Sequence, residues 1–254
     1  MRLDNELVSR NLISTRSKAK ASILEGIVYC DNVKIKKPSF EVTEETIIEI
    51  RGNVMPFVSR GGLKLLEAIK SFNVDLNGKF MIDIGSSTGG FTDCALQNGI
   101  DKVVAIDVGK DQMVDSIKNN PKVSLYEKTD FRNIDLDIIK GADIATIDVS
   151  FISTKLIMPK LNDANVSEIV CLIKPQFECG KEVADKYKGI ILNKNEHIKV
   201  LNNVIGNFKE IKYHCHGLIK SPIRGGDGNV EYLGYFRREK NKVNIDDVVN
   251  KVFK

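Results

Sequence analysis

From Gly78 onward, apolar runs of strand length alternate with helix-length segments, and that alternation leaves the chain little choice of architecture. The expected strands are Phe80–Ile84, Val103–Val108, Val123–Tyr126, Ile144–Val149, Ile169–Ile173, Ile211–Leu218 and Tyr232–Arg237. Strands interleaved with helices give an α/β fold, a mainly parallel sheet covered on both faces. Only the glycine-rich stretch from Arg224 to Asn229 separates the last two runs. A parallel crossover needs a dozen or more residues, so these two are expected to be antiparallel and the seven-stranded sheet mixed. A helix from about Gly62 to Phe72 precedes the first strand.

The first strand runs into Asp83-Ile84-Gly85-Ser86-Ser87-Thr88-Gly89-Gly90-Phe91-Thr92-Asp93. Three glycines and four small hydroxyl residues in eleven positions are more than an ordinary turn needs. Ligands of open α/β sheets sit at the carboxyl ends of strands, where this loop falls. A dinucleotide loop has a second glycine two places after the first, and here that place is Ser87. The phosphate-loop signature with its lysine is also missing. A loop of the form D-x-G-x-x-x-G-G resembles the first motif of class I methyltransferases, which cradles the methionine and ribose of S-adenosylmethionine. Asp83, Gly85, Ser86, Ser87, Thr88, Gly89, Gly90 and Phe91 are therefore expected to bind that cofactor. Asp107 ends the next strand, about 20 residues on, where a carboxylate can accept both ribose hydroxyls. Asp130 and Phe131 follow the third strand and are expected at the adenine.

The fourth strand ends at Asp148 and the fifth at Lys174, both at the carboxyl edge. Lys174 comes directly after four apolar residues, an unusual place for a solvated charge. A lysine takes a proton from a hydroxyl only where burial or nearby positive charge makes its neutral form accessible. Asp148 could orient it. Lys64, ahead of the first strand, and Glu231, at the start of the last, are candidates for the same edge. The proline-rich tetrapeptide of many amino-methylating enzymes is missing after the fourth strand, which weighs against N-methylation.

The first 50 residues read differently, as two short helices and short strands. Leu3, Leu7, Val8 and Leu12 recur at helical spacing, and Ser14 or Thr15 can cap a second helix carrying Ala19, Ile23 and Leu24 on one face. Gly26 to Cys30, a turn at Asp31-Asn32 and Val33 to Ile35 form an expected hairpin, and Thr46 to Ile50 another strand. The chain has 254 residues, enough for a medium domain and a small one. The net charge of +4 is too mild to name a partner. Its distribution says more: Arg2, Arg10, Arg16, Lys18 and Lys20 gather near the N-terminus against Asp4 and Glu6. Gly52, Asn53 and Pro56 mark a linker between the two parts.

These segments together resemble the TlyA-type rRNA methyltransferases. The likeness lies in Val58 to Leu65, Asp83 to Asp93, Asp148 to Phe151, Ile173 to Glu178, Ser221-Pro222-Ile223 and Gly228 to Glu231, in order along nearly the whole chain. The resemblance implies an FtsJ-like, Rossmann-type class I methyltransferase domain over residues 60–254. It implies transfer of a methyl group from S-adenosylmethionine to a cytidine 2′-hydroxyl in ribosomal RNA. The family's Lys-Asp-Lys-Glu tetrad carries over to Lys64, Asp148, Lys174 and Glu231. Where this chain has Asp130 the family usually has asparagine. Residues 1–51 are similar to the S-four RNA-binding domain, a small α+β module, with 52–59 as linker. Its likeness makes Arg2, Arg10, Arg16, Lys18 and Lys20 expected phosphate contacts that position the enzyme. The partner implied is ribosomal RNA or a ribosomal subunit, met in the cytoplasm by a monomer or weak homodimer.

Other classes make other demands. The family has also carried a haemolysin label, so an RNA-binding cytolysin without methyl transfer is the alternative. No run of about 18 apolar residues exists to span a membrane. Five scattered cysteines, an odd number, fit free thiols in a reducing compartment. His214-Cys215-His216 offers two imidazoles on one strand face without a nearby carboxylate, so no metal is expected.

Overall fold

The computed structural model describes residues 1–52, 54–240 and 250–252; Asn53, one of the expected linker residues, lies outside them. The N-terminal module is built from α1 (Leu3–Ser9), α2 (Arg16–Glu25), β1 (Val28–Cys30), β2 (Val33–Lys34) and β3 (Ile48–Ile50). Of the two candidate caps, Thr15 is the one that holds α2, its hydroxyl accepting from the Lys18 N–H. Asp31 and Asn32 both have positive φ, 49° and 66°, as a two-residue hairpin turn with the right twist requires. That turn sets the register Cys30 with Val33, and β3 pairs along the other edge of β1. Leu3, Leu7, Ile13, Ala19, Ile23, Val28, Cys30, Ile35 and Val42 make a small closed core. Two expected members are outside it. Leu12 is exposed because α1 stops at Ser9, so Ile13 fills the place instead, and Leu24 points outward from the last turn of α2.

The larger part begins with α3 (Gly61–Phe72), β4 (Phe80–Ile84) and α4 (Gly90–Gln97). It continues through β5 (Lys102–Ile106), β6 (Val123–Tyr126), β7 (Ile144–Ile147), β8 (Glu168–Ile173), β9 (His214–Lys220) and β10 (Tyr232–Arg237). These form a seven-stranded sheet in the order β6-β5-β4-β7-β8-β10-β9. Strands β4 to β8 are parallel, and β10 lies antiparallel between β8 and β9, so the sheet is mixed as expected. Some strand ends move. The expected strand from Ile211 starts at His214, because the preceding helix, Lys194–Glu210, uses Ile211 as its C-cap. β5 and β7 stop at Ile106 and Ile147, which leaves Asp107 and Asp148 just beyond the sheet.

Alternate residues of the strands feed two cores. Met81, Val103 and Ala105 pack against Leu65 and Ala68 of α3 and Phe91, Cys94 and Ala95 of α4. Ile82, Ile84, Val104 and Ile106 face the opposite layer, where the helix Lys194–Glu210 contributes Val200, Leu201, Val204, Ile205 and Phe208. Spacing of 1, 3, 1 and 3 places those five side chains on one stripe of that helix. Each such buried side chain adds about 1.5–3 kcal/mol of burial free energy. Two filled layers hold the central strands rigidly, and their carboxyl ends form one fixed edge.

Candidate active site

At that edge the chain leaves β4 and turns sharply over the end of β7. Gly85 has φ +86°, and a Cβ there would sit 2.5 Å from the Asp148 carbonyl oxygen, so only glycine fits. Ser87 also takes positive φ, 45°. The loop is secured from β5: the Asp107 carboxylate accepts from the Ser87 N–H at 2.8 Å and from the Gly109 N–H at 2.7 Å. Asp83 is fully buried behind the loop. It accepts hydrogen bonds from Thr92 of α4 at 2.6 Å and Thr146 of β7 at 2.9 Å, so it ties three elements together. Burial, only partly offset by those hydroxyls, pushes its pKa up to about 6.

The loop borders a cavity of 350 Å³ that also receives the ends of α3, β7, β8 and β10. Two lysine–carboxylate pairs stand in its wall. Lys174 Nζ lies 2.6 Å from Asp148 Oδ1 and donates to Ser150 Oγ at 2.9 Å. Lys64 Nζ donates to Glu231 Oε2 at 2.6 Å, across 167 residues of sequence. Both lysines are nine-tenths buried. At the same wall Phe151 is 90% exposed, has φ +63°, and meets Phe177 with ring centroids 5.0 Å apart. A large apolar side chain held in open solvent by a strained backbone is placed there at a cost.

The expected residues divide by where they sit. Lys64, Gly85, Ser86, Ser87, Thr88, Gly90, Phe91, Asp148, Lys174 and Glu231 all line the cavity. Asp83 does not, because its carboxylate is spent on the two threonines. Gly89, the N-cap of α4, faces Ile117 and Met113 rather than the cavity. Asp107 sits under the loop. Asp130 caps a short turn and is bonded to Arg132, whose hydrogen bond holds the carboxyl below its usual range despite partial burial. Phe131 is packed into the core with Ile82 and Ile106, so its ring does not reach the cavity wall. Ser150, Phe151, Gln176, Phe177 and Arg224 line the cavity without having been assigned a role from sequence. The signal was available for most of them: Ser150 and Phe151 follow Asp148 within three positions, and Gln176 and Phe177 follow Lys174 within three.

The N-terminal cations also divide. Arg10 is consumed inside the module, bonded to Glu6 and to the carbonyls of Thr43, Glu44 and Thr46. Arg2 and Arg16 share the buried Asp4 at 2.9 and 3.0 Å but remain about half exposed. Lys20 is exposed and Lys18 partly so. Among the described residues, no group of three or more His, Cys, Asp and Glu side chains could hold a metal, and His216 contacts the Glu239 carbonyl.

The chain is similar to known proteins along its length. The model of the FtsJ-like methyltransferase family matches residues 57–238, and that of the S4 domain matches 1–48. YqxC of Bacillus subtilis, provisionally named as an rRNA methyltransferase, is 47% identical over 91% of this chain and 84% of its own. The 16S/23S rRNA (cytidine-2′-O)-methyltransferase TlyA of Mycobacterium tuberculosis is 33% identical over 98% of this chain and 96% of its own. A Streptococcus thermophilus structure provisionally named a hemolysin superposes with a TM-score of 0.76 at 36% identity, covering 100% of this chain and 95% of that one.

Proposed function

This chain, which belongs to the FtsJ-like methyltransferase family and carries an S4 domain ahead of the catalytic part, is one that we propose transfers the methyl group of S-adenosylmethionine to the 2′-hydroxyl of a cytidine in ribosomal RNA. The observation that carries this reading is the pair of lysine–carboxylate bridges facing one cavity. The cradle suits the methyl donor. Gly85 leaves room where a Cβ would collide, and the buried Ser86 hydroxyl has no hydrogen-bond partner until a ligand supplies one. A volume of 350 Å³ falls within the usual size of small-molecule sites, about 300–1,000 Å³. When bound, S-adenosylmethionine supplies a methyl group already activated by a sulfonium, so no metal is required for that activation. The residues Asp83 to Phe91, with Asp107, are proposed to form and support its site.

The protein's own task is to hold the acceptor and take its proton. A neutral lysine amine has two N–H donors and one lone pair. Lys174 donates one N–H to Ser150 and stands beside the Asp148 carboxylate as its ion-pair partner, and the lone pair of its neutral form is proposed to face the ribose hydroxyl. In its neutral form Lys174 accepts the hydroxyl proton as the oxygen gains its methyl, and releases it afterwards. Lys64, fixed by Glu231, holds the ribose from the other side. Phe151 and Phe177 offer a stacking surface of the kind that holds unstacked bases. Residues 1–51 are proposed to anchor the enzyme on ribosomal RNA through Arg2, Arg16, Lys18 and Lys20, with 52–59 as linker and the whole working in the cytoplasm as a monomer or weak homodimer.

Mapping ribose methylation in ribosomal RNA from cells with and without the protein tests the reading. The expected result is at least one cytidine that loses its 2′-O-methyl group, restored by the wild-type protein. Identical maps would sink it. The rival reading, membrane lysis, draws on the hemolysin name of a relative. No helix among the described residues is long and apolar enough to cross a membrane, and dye release from liposomes gives a direct test.

A further inference from the structure

We infer that Gln176 reads the base of the methylated nucleotide, its side-chain carbonyl accepting a hydrogen bond from the exocyclic amino group of cytosine. This rests on the ribose-methylation reading above and adds to it the source of base choice. Gln176 lies in the short turn Pro175–Glu178, two residues beyond Lys174, and lines the catalytic cavity. Its Oε1 is enclosed and has no hydrogen-bond partner. Buried carbonyl oxygens are nearly always bonded, and one without a partner on a cavity-lining residue is a place for a ligand's donor once the side chain turns toward it.

The sheet order says which ligand. The glycine-rich loop lies over β4 and is braced from β5, and its own unpartnered group is Ser86 Oγ. Gln176 is at the end of β8, two strands from β4 with β7 between. At about 4.8 Å per strand that is roughly 10 Å away, on the acceptor side of Asp148. Its chain neighbour Phe177 forms the aromatic pair with Phe151. A base lying on that pair turns its polar edge toward the protein, where unstacked bases are read by hydrogen bonds. Cytosine carries an amino donor on that edge and uracil a carbonyl, so an inward-facing acceptor favours cytosine.

The test uses the full-length protein, labelled S-adenosylmethionine and ribosomal RNA from cells lacking the gene, with the product digested to nucleosides. Gln176→Met keeps the shape and removes the amide. It should lower kcat/KM for 2′-O-methylcytidine by tenfold or more and raise the 2′-O-methyluridine share, with cofactor Kd within twofold of wild type. Gln176→Glu keeps acceptor oxygens and should keep the cytidine preference. A Gln176→Met enzyme equal to a wild type that makes 2′-O-methylcytidine sinks the Gln176 assignment alone. So does a Gln176→Met enzyme whose whole loss is in cofactor Kd, or a Gln176→Glu enzyme as unselective as the Met variant. Wild-type protein that yields no 2′-O-methylcytidine sinks the underlying reading and this inference with it.

Discussion

Asp4 and Asp83 are both fully buried, one in the N-terminal module and one in the catalytic domain, yet their acidities move in opposite directions. Burial raises both. At Asp4 the hydrogen bonds and charges of Arg2 and Arg16 outweigh it, and the carboxyl falls below its usual range. At Asp83 two neutral threonines cannot, and the pKa rises to about 6. The lesson is that depth does not decide the charge of a buried acid; its partners do. The small module, with few apolar side chains to bury, is tied by ions. The large domain leaves Asp83 to neutral partners, while two of its ion pairs, Lys64–Glu231 and Lys174–Asp148, stand at the cavity.

Four tests probe that contrast. The largest effect belongs to the cavity: Lys174→Ala should lower turnover by about 10²–10⁴-fold with cofactor affinity retained. Lys174→Arg should do the same, since a guanidinium does not give up its proton. Isothermal titration and single-turnover rates check both, and retained turnover in either variant would remove the proton-acceptor role. Next, Asp4→Ala should destabilise the module by about 2–3 kcal/mol, because a buried charge network loses its centre. Hydrogen exchange resolved along the chain should show residues 1–50 opening while β4 to β8 stay protected; uniform loss would mean the two parts do not stand alone.

Third comes acidity. Between about pH 4 and 6 native Asp83 holds a proton that the unfolded chain has lost, so its contribution falls as pH rises through that window. Asp4 behaves the other way, and its contribution is lost as pH falls below about 4. Asp83→Asn should therefore flatten the catalytic domain's melting temperature between pH 4.5 and 6.5, an effect of up to about 2 kcal/mol. An unchanged slope would contradict the assignment. The smallest effect is at the surface. Lys18→Glu with Lys20→Glu should weaken RNA binding about five- to tenfold and shrink its salt dependence, with melting unchanged. Arg10→Ala, by contrast, should act mainly on stability. Binding that ignores the lysines but follows Arg10 would reverse that division.

Sequence carried much of this and stopped for definite reasons. Strand–helix alternation is a property of burial periodicity, so the sheet, its mixed edge and the loop at Gly85 could be read directly. Lys174 and Asp148 could be placed because strand ends fix the edge. Lys64 and Glu231 were only candidates by position; the resemblance placed both in one tetrad, and their pairing across 167 residues is seen only in the structure. What spacing cannot show is which way a side chain at an edge turns. Asp83 and Phe131 turn inward to threonines and core, and Arg10 turns back on its own module, although all three occupy positions where exposure was the simpler expectation. Leu12 failed for a local reason, the early stop of α1.

The antiparallel β10 fills the gap between β8 and β9, and the residue just before it, Glu231, completes the pair with Lys64. A chain emerging from its own ribosome therefore cannot close the sheet in order of synthesis. At about 5–20 residues per second, the 167 residues between the two partners take roughly 8–33 s to make. The N-terminal module, complete by Ile50, has that interval to fold first. The Lys64–Glu231 pair thus forms late, when a strand enters the middle of a sheet between neighbours already made.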